Sequence, residues 1–136
     1  MIKPKEKILV TGASGFIGSF LCHYLLTEGF QVFGLYLTNP ISNPEIISKT
    51  IDIRDKDSIL DYIVKNEINF VVHLAYKKGR EMEETIVNGT KNLAEICRKF
   101  NIGFLLMSTD IVFDGMTGDY SEEIKPKPII DYGKFK

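Results

Sequence analysis

Three glycines at three-residue spacing, Gly12, Gly15 and Gly18, constrain this chain more than any other feature. They follow Ile8-Leu9-Val10, the unbroken apolar run expected of a strand buried on both faces of a parallel sheet. Beyond them Phe16, Ile17, Phe20, Leu21, Tyr24 and Leu25 recur with helical period, and Gly29 supplies a helix stop. A strand that enters a helix through so short a turn commits the chain to a βαβ crossover.

A turn of this kind holds a pyrophosphate. Side chains at Gly12 or Gly15 would keep the backbone from closing around the ligand, and one at Gly18 would push the helix off the strand. The helix start then presents free N–H groups and roughly +0.5 of a charge to the phosphates.

The rest of the chain alternates strand and helix. Residues 31–37 read as a second strand, 50–53 as a short third, 69–75 as a fourth and 103–107 as a fifth. Pro40 and Pro44 make 39–49 a loop. Residues 55–67 read as an amphipathic helix with Ile59, Leu60, Ile63 and Val64 as its stripe and Asp55 as its N-cap. Residues 81–100 read as one long helix with Ile86, Leu93, Ile96 and Cys97 towards one side, 111–113 as a short extended piece, and 131–136 as the first turns of another helix. With right-handed crossovers this gives a doubly wound α/β fold of the Rossmann type, a parallel sheet in the order 3-2-1-4-5. Its switch point, where a cleft opens, falls at Leu74, Ala75 and Tyr76.

The 136 residues make one domain, and 44% hydrophobic with 26% charged residues is ordinary for a soluble protein. A net charge of −1 gives no electrostatic case for nucleic acid or an anionic membrane. No apolar run approaches the roughly 18 residues of a membrane span. The basic N-terminus precedes only a short strand, without the features of a signal peptide. Cys22 and Cys97 fall in separate helices and read as buried thiols of a reducing compartment, which places the chain in the cytoplasm. His23 and His73 lack metal-ligand spacing, so no metal is expected; His73 reads as a packed polar residue inside a buried strand.

Chemistry-bearing residues converge on one sheet edge: the glycine turn, Ser108, Thr109 and Asp110 after the fifth strand, and Tyr132 with Lys136. The i, i+4 spacing puts the last two on one helix face. A free tyrosine with a pKa of about 10 is a poor proton donor or acceptor, and a neighbouring ammonium lowers that value. A hydroxyl from Ser108 or Thr109 is placed to hold a substrate carbonyl. At the end of the second strand, where a carboxylate selects NAD and an arginine NADP, the chain has Tyr36, Leu37 and Thr38, so the choice of cofactor is open.

Five stretches then carry a resemblance: Thr-Gly-Ala-Ser-Gly-Phe-Ile-Gly at 11–18, Asp52-Ile53, His-Leu-Ala at 73–75, Gly-Thr-Lys-Asn-Leu at 89–93 and Tyr-Gly-Lys-Phe-Lys at 132–136. The chain resembles the extended short-chain dehydrogenase/reductase superfamily over essentially its whole length. Ser-Thr-Asp-Ile-Val-Phe-Asp-Gly at 108–115 resembles the signature of dTDP-4-dehydrorhamnose reductases. The resemblance implies an NAD(P)-binding Rossmann domain over 1–136, short of the family's C-terminal strands and substrate-binding part. It also implies reduction of the C4 keto group of a nucleotide-linked deoxysugar by NADPH or NADH. Thr109 would position the carbonyl with Ser108 and Asp110 beside it, Tyr132 would donate the proton, and Lys136 would hold the nicotinamide ribose and tune the tyrosine. Gly12, Ser14, Gly15, Phe16, Ile17 and Gly18 would line the pyrophosphate. Asp52 and Ile53 would flank adenine, with Asp52 accepting from its amino group. Leu74, Ala75 and Tyr76 would touch the adenosine-side ribose and phosphates. The oligomeric state is left open, a homodimer among the options.

Two departures stand out. Where the family has an asparagine three residues before the Gly-Thr, this chain has Ile86, and Tyr76 stands where the family prefers a small residue. Two other activities fit the same resemblance: a non-catalytic binding module like the regulatory subunit of methionine adenosyltransferase, and a nucleotide-sugar epimerase or dehydratase. The Val-Phe-Asp-Gly ending argues against the latter. For these 136 residues alone the expectation is weak nucleotide binding, no turnover, a frayed last helix and exposed apolar surface along the fifth strand.

Overall fold

Residues 6–136 are described by a computed structural model; most of the basic N-terminal stretch lies outside them. Strand β1 (Lys7–Thr11) leads through the glycine turn into α1 (Phe16–Thr27), then β2 (Gln31–Tyr36) and β3 (Ile47–Thr50). Helix α2 (Lys56–Asn66) connects to β4 (Phe70–His73), α3 (Gly89–Phe100) to β5 (Gly103–Leu106), and α4 (Asp131–Phe135) ends the chain. The sheet order is β3-β2-β1-β4-β5 with every pair parallel, the order expected from the sequence.

Alternation along the central strands builds two cores. Leu9, Phe33 and Val71 point to the face covered by α2 (Ile59, Ile63) and α3 (Leu93, Ile96, Cys97). Ile8, Val10, Val32 and Val72 point to the other, with Cys22 and Leu25 of α1. Asp55 caps α2, accepting from the Ser58 backbone N–H at 3.1 Å. Both cysteines are buried and free, and burial pushes each thiol up to about 11, so both stay protonated and inert.

Four local expectations are corrected. The third strand is Ile47–Thr50, not 50–53: its residues are all exposed, an edge strand held by its backbone ladder to β2. Ile51 and Ile53, whose apolar character suggested a strand, are buried loop residues beneath α2 and α3. The long helix at 81–100 is one continuous helical run, but it is not α-helical throughout. A 3-10 turn (Gly79–Glu81) and a π-helical turn (Glu84–Asn88) precede α3, and the Thr85 hydroxyl donates to the Glu81 carbonyl at 2.6 Å. The piece at 111–113 is a 3-10 turn (Asp110–Val112) capped by Thr109. On α1 the buried side is Gly18, Cys22 and Leu25, while Phe16 is 83% and Phe20 67% exposed, because only a residue without a side chain fits against the turn. As expected, β5 leaves apolar surface open: Leu105 is 45% exposed, and Leu106 and Met107 are exposed too. Among the described residues no helix is long and apolar enough to cross a membrane.

Candidate functional site

The carboxyl ends of β1, β2 and β4 open on one cleft. Gly12, Ser14, Gly15, Asp52, Ile53, Leu74, Ala75 and Tyr76 line it together, as do residues 35–39 and Lys77 and Thr85. Gly12 has φ +68°, and a Cβ there would come within 3.0 Å of the Ala75 backbone, so the turn and the exit of β4 are built against each other. Gly15 is the extended residue before α1, and the Ser19 N–H donates to its carbonyl at 2.9 Å. The helix start thus offers its first N–H groups, and no carboxylate in the first turn competes with an anion for them. Phe16 and Ile17 are exposed beside the turn, and Gly18 is buried beneath it.

A buried polar chain fixes the switch point. The Thr11 hydroxyl oxygen accepts from the Leu74 and Ala75 backbone N–H groups, each at 3.2 Å. Its one hydrogen therefore goes to His73 Nδ1 at 2.6 Å, which assigns the ring proton to Nε2, the donor to the Thr90 hydroxyl at 3.0 Å. Burial, with the charge of Lys136 as the second cause, lowers the His73 pKa from 6.5 to about 4. The ring is neutral and structural, as read from the sequence. The unfolded chain binds this proton near 6.5 and the folded chain near 4. Stability is therefore full above pH 6.5 and falls as the pH drops from 6.5 towards 4, by up to about 3 kcal/mol from this residue. Urea unfolding followed against pH should show this slope, and His73→Asn should remove it. An equal slope in both proteins would contradict the assignment.

At the other end of the cleft, the Tyr76 ring lies 5.4 Å from the Tyr132 ring. Lys136 Nζ lies 5.4 Å from the Tyr76 ring centre and 5.9 Å from that of Tyr132, and donates to the Met107 carbonyl at 3.0 Å. Although short, α4 is seated by tertiary contact: a Cβ at Gly133 would strike the Ile111 carbonyl oxygen. The structure thus brings Tyr132, Lys136 and Tyr76 together. It does not show the expected lowering of the tyrosine: burial first, then Tyr76, raises the Tyr132 pKa, and the ammonium donates to the Met107 carbonyl instead of the phenol oxygen. Burial lowers the pKa of Lys136 itself. Ser108 is exposed, and Thr109 donates to Asp110 at 3.2 Å and accepts from the Ile111 N–H at 3.3 Å. These three residues leave the end of β5 outside the lining of the glycine-turn cleft.

Asp52 faces the cleft with its carboxyl gripped by Arg54, which holds its pKa below the usual carboxylate range. Arg54, Asn39, Lys77 and Thr85 carry no motif that sequence reading could use. Asn39, Lys77 and Thr85 reach the cleft through loop and π-turn geometry, and Arg54, outside its lining, acts on it through Asp52.

Residues 8–136 match the NAD-dependent epimerase/dehydratase family. A Haloferax volcanii protein described as a probable low-salt glycan biosynthesis reductase, Agl14, is 34% identical over 93% of this chain and 45% of its own length. The GDP-6-deoxy-D-talose 4-dehydrogenase of Aggregatibacter actinomycetemcomitans is 34% identical over 96% of this chain and 45% of its own. Among solved structures, a hypothetical dTDP-4-dehydrorhamnose reductase from Sulfolobus tokodaii superposes with a TM-score of 0.84 at 26% identity, over 95% of this chain and 48% of that one. The chain spans about half the length of the curated relatives it matches.

Proposed function

Because the chain belongs to the NAD-dependent epimerase/dehydratase family, we propose that it is the cofactor-binding part of a reductase acting on the C4 keto group of a nucleotide-linked 6-deoxysugar. The observation that carries this reading is the joining of the glycine-turn cleft to the Tyr132–Lys136 pair through Tyr76, a residue common to both. Two of the similar proteins are named for redox chemistry at C4 of a nucleotide 6-deoxysugar, a 4-dehydrogenase and a 4-dehydro-sugar reductase.

The residues fit a dinucleotide. Backbone fills the space where a Cβ at Gly12 would sit, and the first turn of α1 holds no acid. The Gly12–Gly15 turn and the helix start would hold the pyrophosphate, Asp52 and Ile53 the adenine, and Leu74 and Ala75 the adjoining ribose and phosphate. NADPH or NADH supplies a hydride when bound. The Tyr132 hydroxyl gives its proton to the carbonyl oxygen, and the Lys136 ammonium, released from Met107, stabilises the phenolate left behind. Thr109, released from Asp110, holds the carbonyl in place. Tyr36, Leu37 and Thr38 include neither a carboxylate nor an arginine, so the choice between NADPH and NADH is open.

The test is NADPH consumption with a dTDP-4-keto-6-deoxysugar, in a chain extended to the relatives' length. One 4-hydroxy-6-deoxysugar formed per NADPH oxidised is expected. Epimerisation at C4 of a nucleotide-hexose without net NADPH consumption would assign the site to an epimerase instead.

A further inference from the structure

We propose that Arg54 is the positioning residue of the adenine subsite: it aims the Asp52 carboxylate and latches the connection between β4 and α3 over the cleft. The inference rests on reading that cleft as a dinucleotide site. Arg54 Nε lies 3.0 Å from Asp52 Oδ1 and 3.2 Å from Oδ2, and Nη2 lies 2.6 Å from Oδ2. The Arg54 backbone N–H donates to Oδ1 at 3.0 Å. On the opposite side Nη1 donates to Glu81 at 2.8 Å and Glu84 at 3.1 Å. One guanidinium therefore joins the loop that carries Asp52 to the 3-10 and π turns that carry Thr85, both of which line the cleft.

Two consequences follow from this fork. First, a carboxylate has about four lone-pair directions. Nε shares itself between the two oxygens, and Nη2 and the backbone N–H take one direction each. About one direction is left, fixed in orientation and ionised, an acceptor suited to the exocyclic amino group of adenine. Second, without Arg54, the Asp52, Glu81 and Glu84 carboxylates would face one another with Lys77, bound to Glu81 at 2.6 Å, as the neighbouring cation. Repulsion would move Glu81, and Thr85 with it, because the Thr85 hydroxyl is bound to the Glu81 carbonyl. A lysine cannot replace the fork, since an ammonium does not span both acids in one plane.

The Arg54–Asp52 pair is half-buried, so losing Arg54 should cost some stability too, and the preference between two ligands separates its binding role from that cost. ADP and inosine diphosphate, which lacks the amino group, are titrated into the wild-type chain and into R54M, R54K, D52N and the D52N/R54M double variant, with thermal midpoints measured alongside. The wild type should prefer ADP. R54M should lose about tenfold in ADP affinity, as one misdirected hydrogen bond of about 1.4 kcal/mol requires, and should lose the preference while remaining folded. R54K should recover only part, and R54M should add little in the D52N background. Unchanged ADP affinity and preference in R54M would overturn the proposal, as would equal losses for both ligands, the mark of a merely structural role. If the wild type bound neither ligand, the reading of the cleft itself would fail, whatever Arg54 does.

Discussion

Gly18→Val should unfold the N-terminal half of the sheet rather than weaken a site. A Cβ at this position collides with the Gly12 carbonyl oxygen and lies 2.9 Å from the Ala13 Cα and 3.0 Å from the Gly12 carbonyl carbon. All three are backbone atoms of the turn that joins β1 to α1, so no rotamer change relieves the clash. Relief requires α1 to lift away from the core formed by Ile8, Val10, Cys22 and Leu25. Overpacking costs 1–3 kcal/mol even where side chains give way; against rigid backbone the loss should exceed about 3 kcal/mol, a large part of the 5–15 kcal/mol that holds a typical domain. Urea unfolding measures this directly. Gly15→Ala is the control: its Cβ meets only the Gly12 carbonyl oxygen, at 3.2 Å, at an ordinary φ of −74°. It should fold and lose mainly phosphate binding. A wild-type unfolding midpoint in Gly18→Val would refute the packing argument.

Tyr132→Phe should lower turnover by about 10²-fold or more in a chain of the relatives' length, the usual contribution of a positioned acid, while leaving cofactor affinity within about twofold. The phenylalanine keeps the ring contact with Tyr76 and removes only the hydroxyl. The raised pKa of Tyr132 keeps that hydroxyl protonated through neutral pH, the form a proton donor needs, so the rate should fall only on the alkaline side. Turnover is compared by initial rates and affinity by titration. Equal turnover in the variant would remove Tyr132 from the chemistry.

How much of this was legible before the structure depended on whether a signal was local and apolar. The Ile8–Val10 run, the glycine spacing and the cysteine-bearing helix α3 were read directly, and with them came the sheet order. The third strand was misplaced because Ser48, Lys49 and Thr50 form an edge with no buried face, while Ile51 and Ile53 bury themselves as loop. The apolar ring around α1 disguised its buried side, which a glycine and a cysteine mark more faithfully than two phenylalanines. The π turn before α3, where the Thr85 hydroxyl binds the Glu81 carbonyl, has no periodic trace. The glycine turn, Asp52 and the switch point were found by motif. Arg54 was not, because its role depends on Glu81 and Glu84, 27 and 30 residues away in sequence. Proximity of Tyr132 to Lys136 followed from spacing, but the pull of Met107 on the ammonium did not.

The most direct measurement is an amide-resolved NMR titration of the 136-residue chain with NADPH. The largest shifts should fall on residues 12–18, followed by Asp52, Ile53, Leu74 and Ala75, with the first turn of α1 protected from exchange. Saturable binding that left the amides of 12–18 unmoved would show that the phosphates do not rest on this turn.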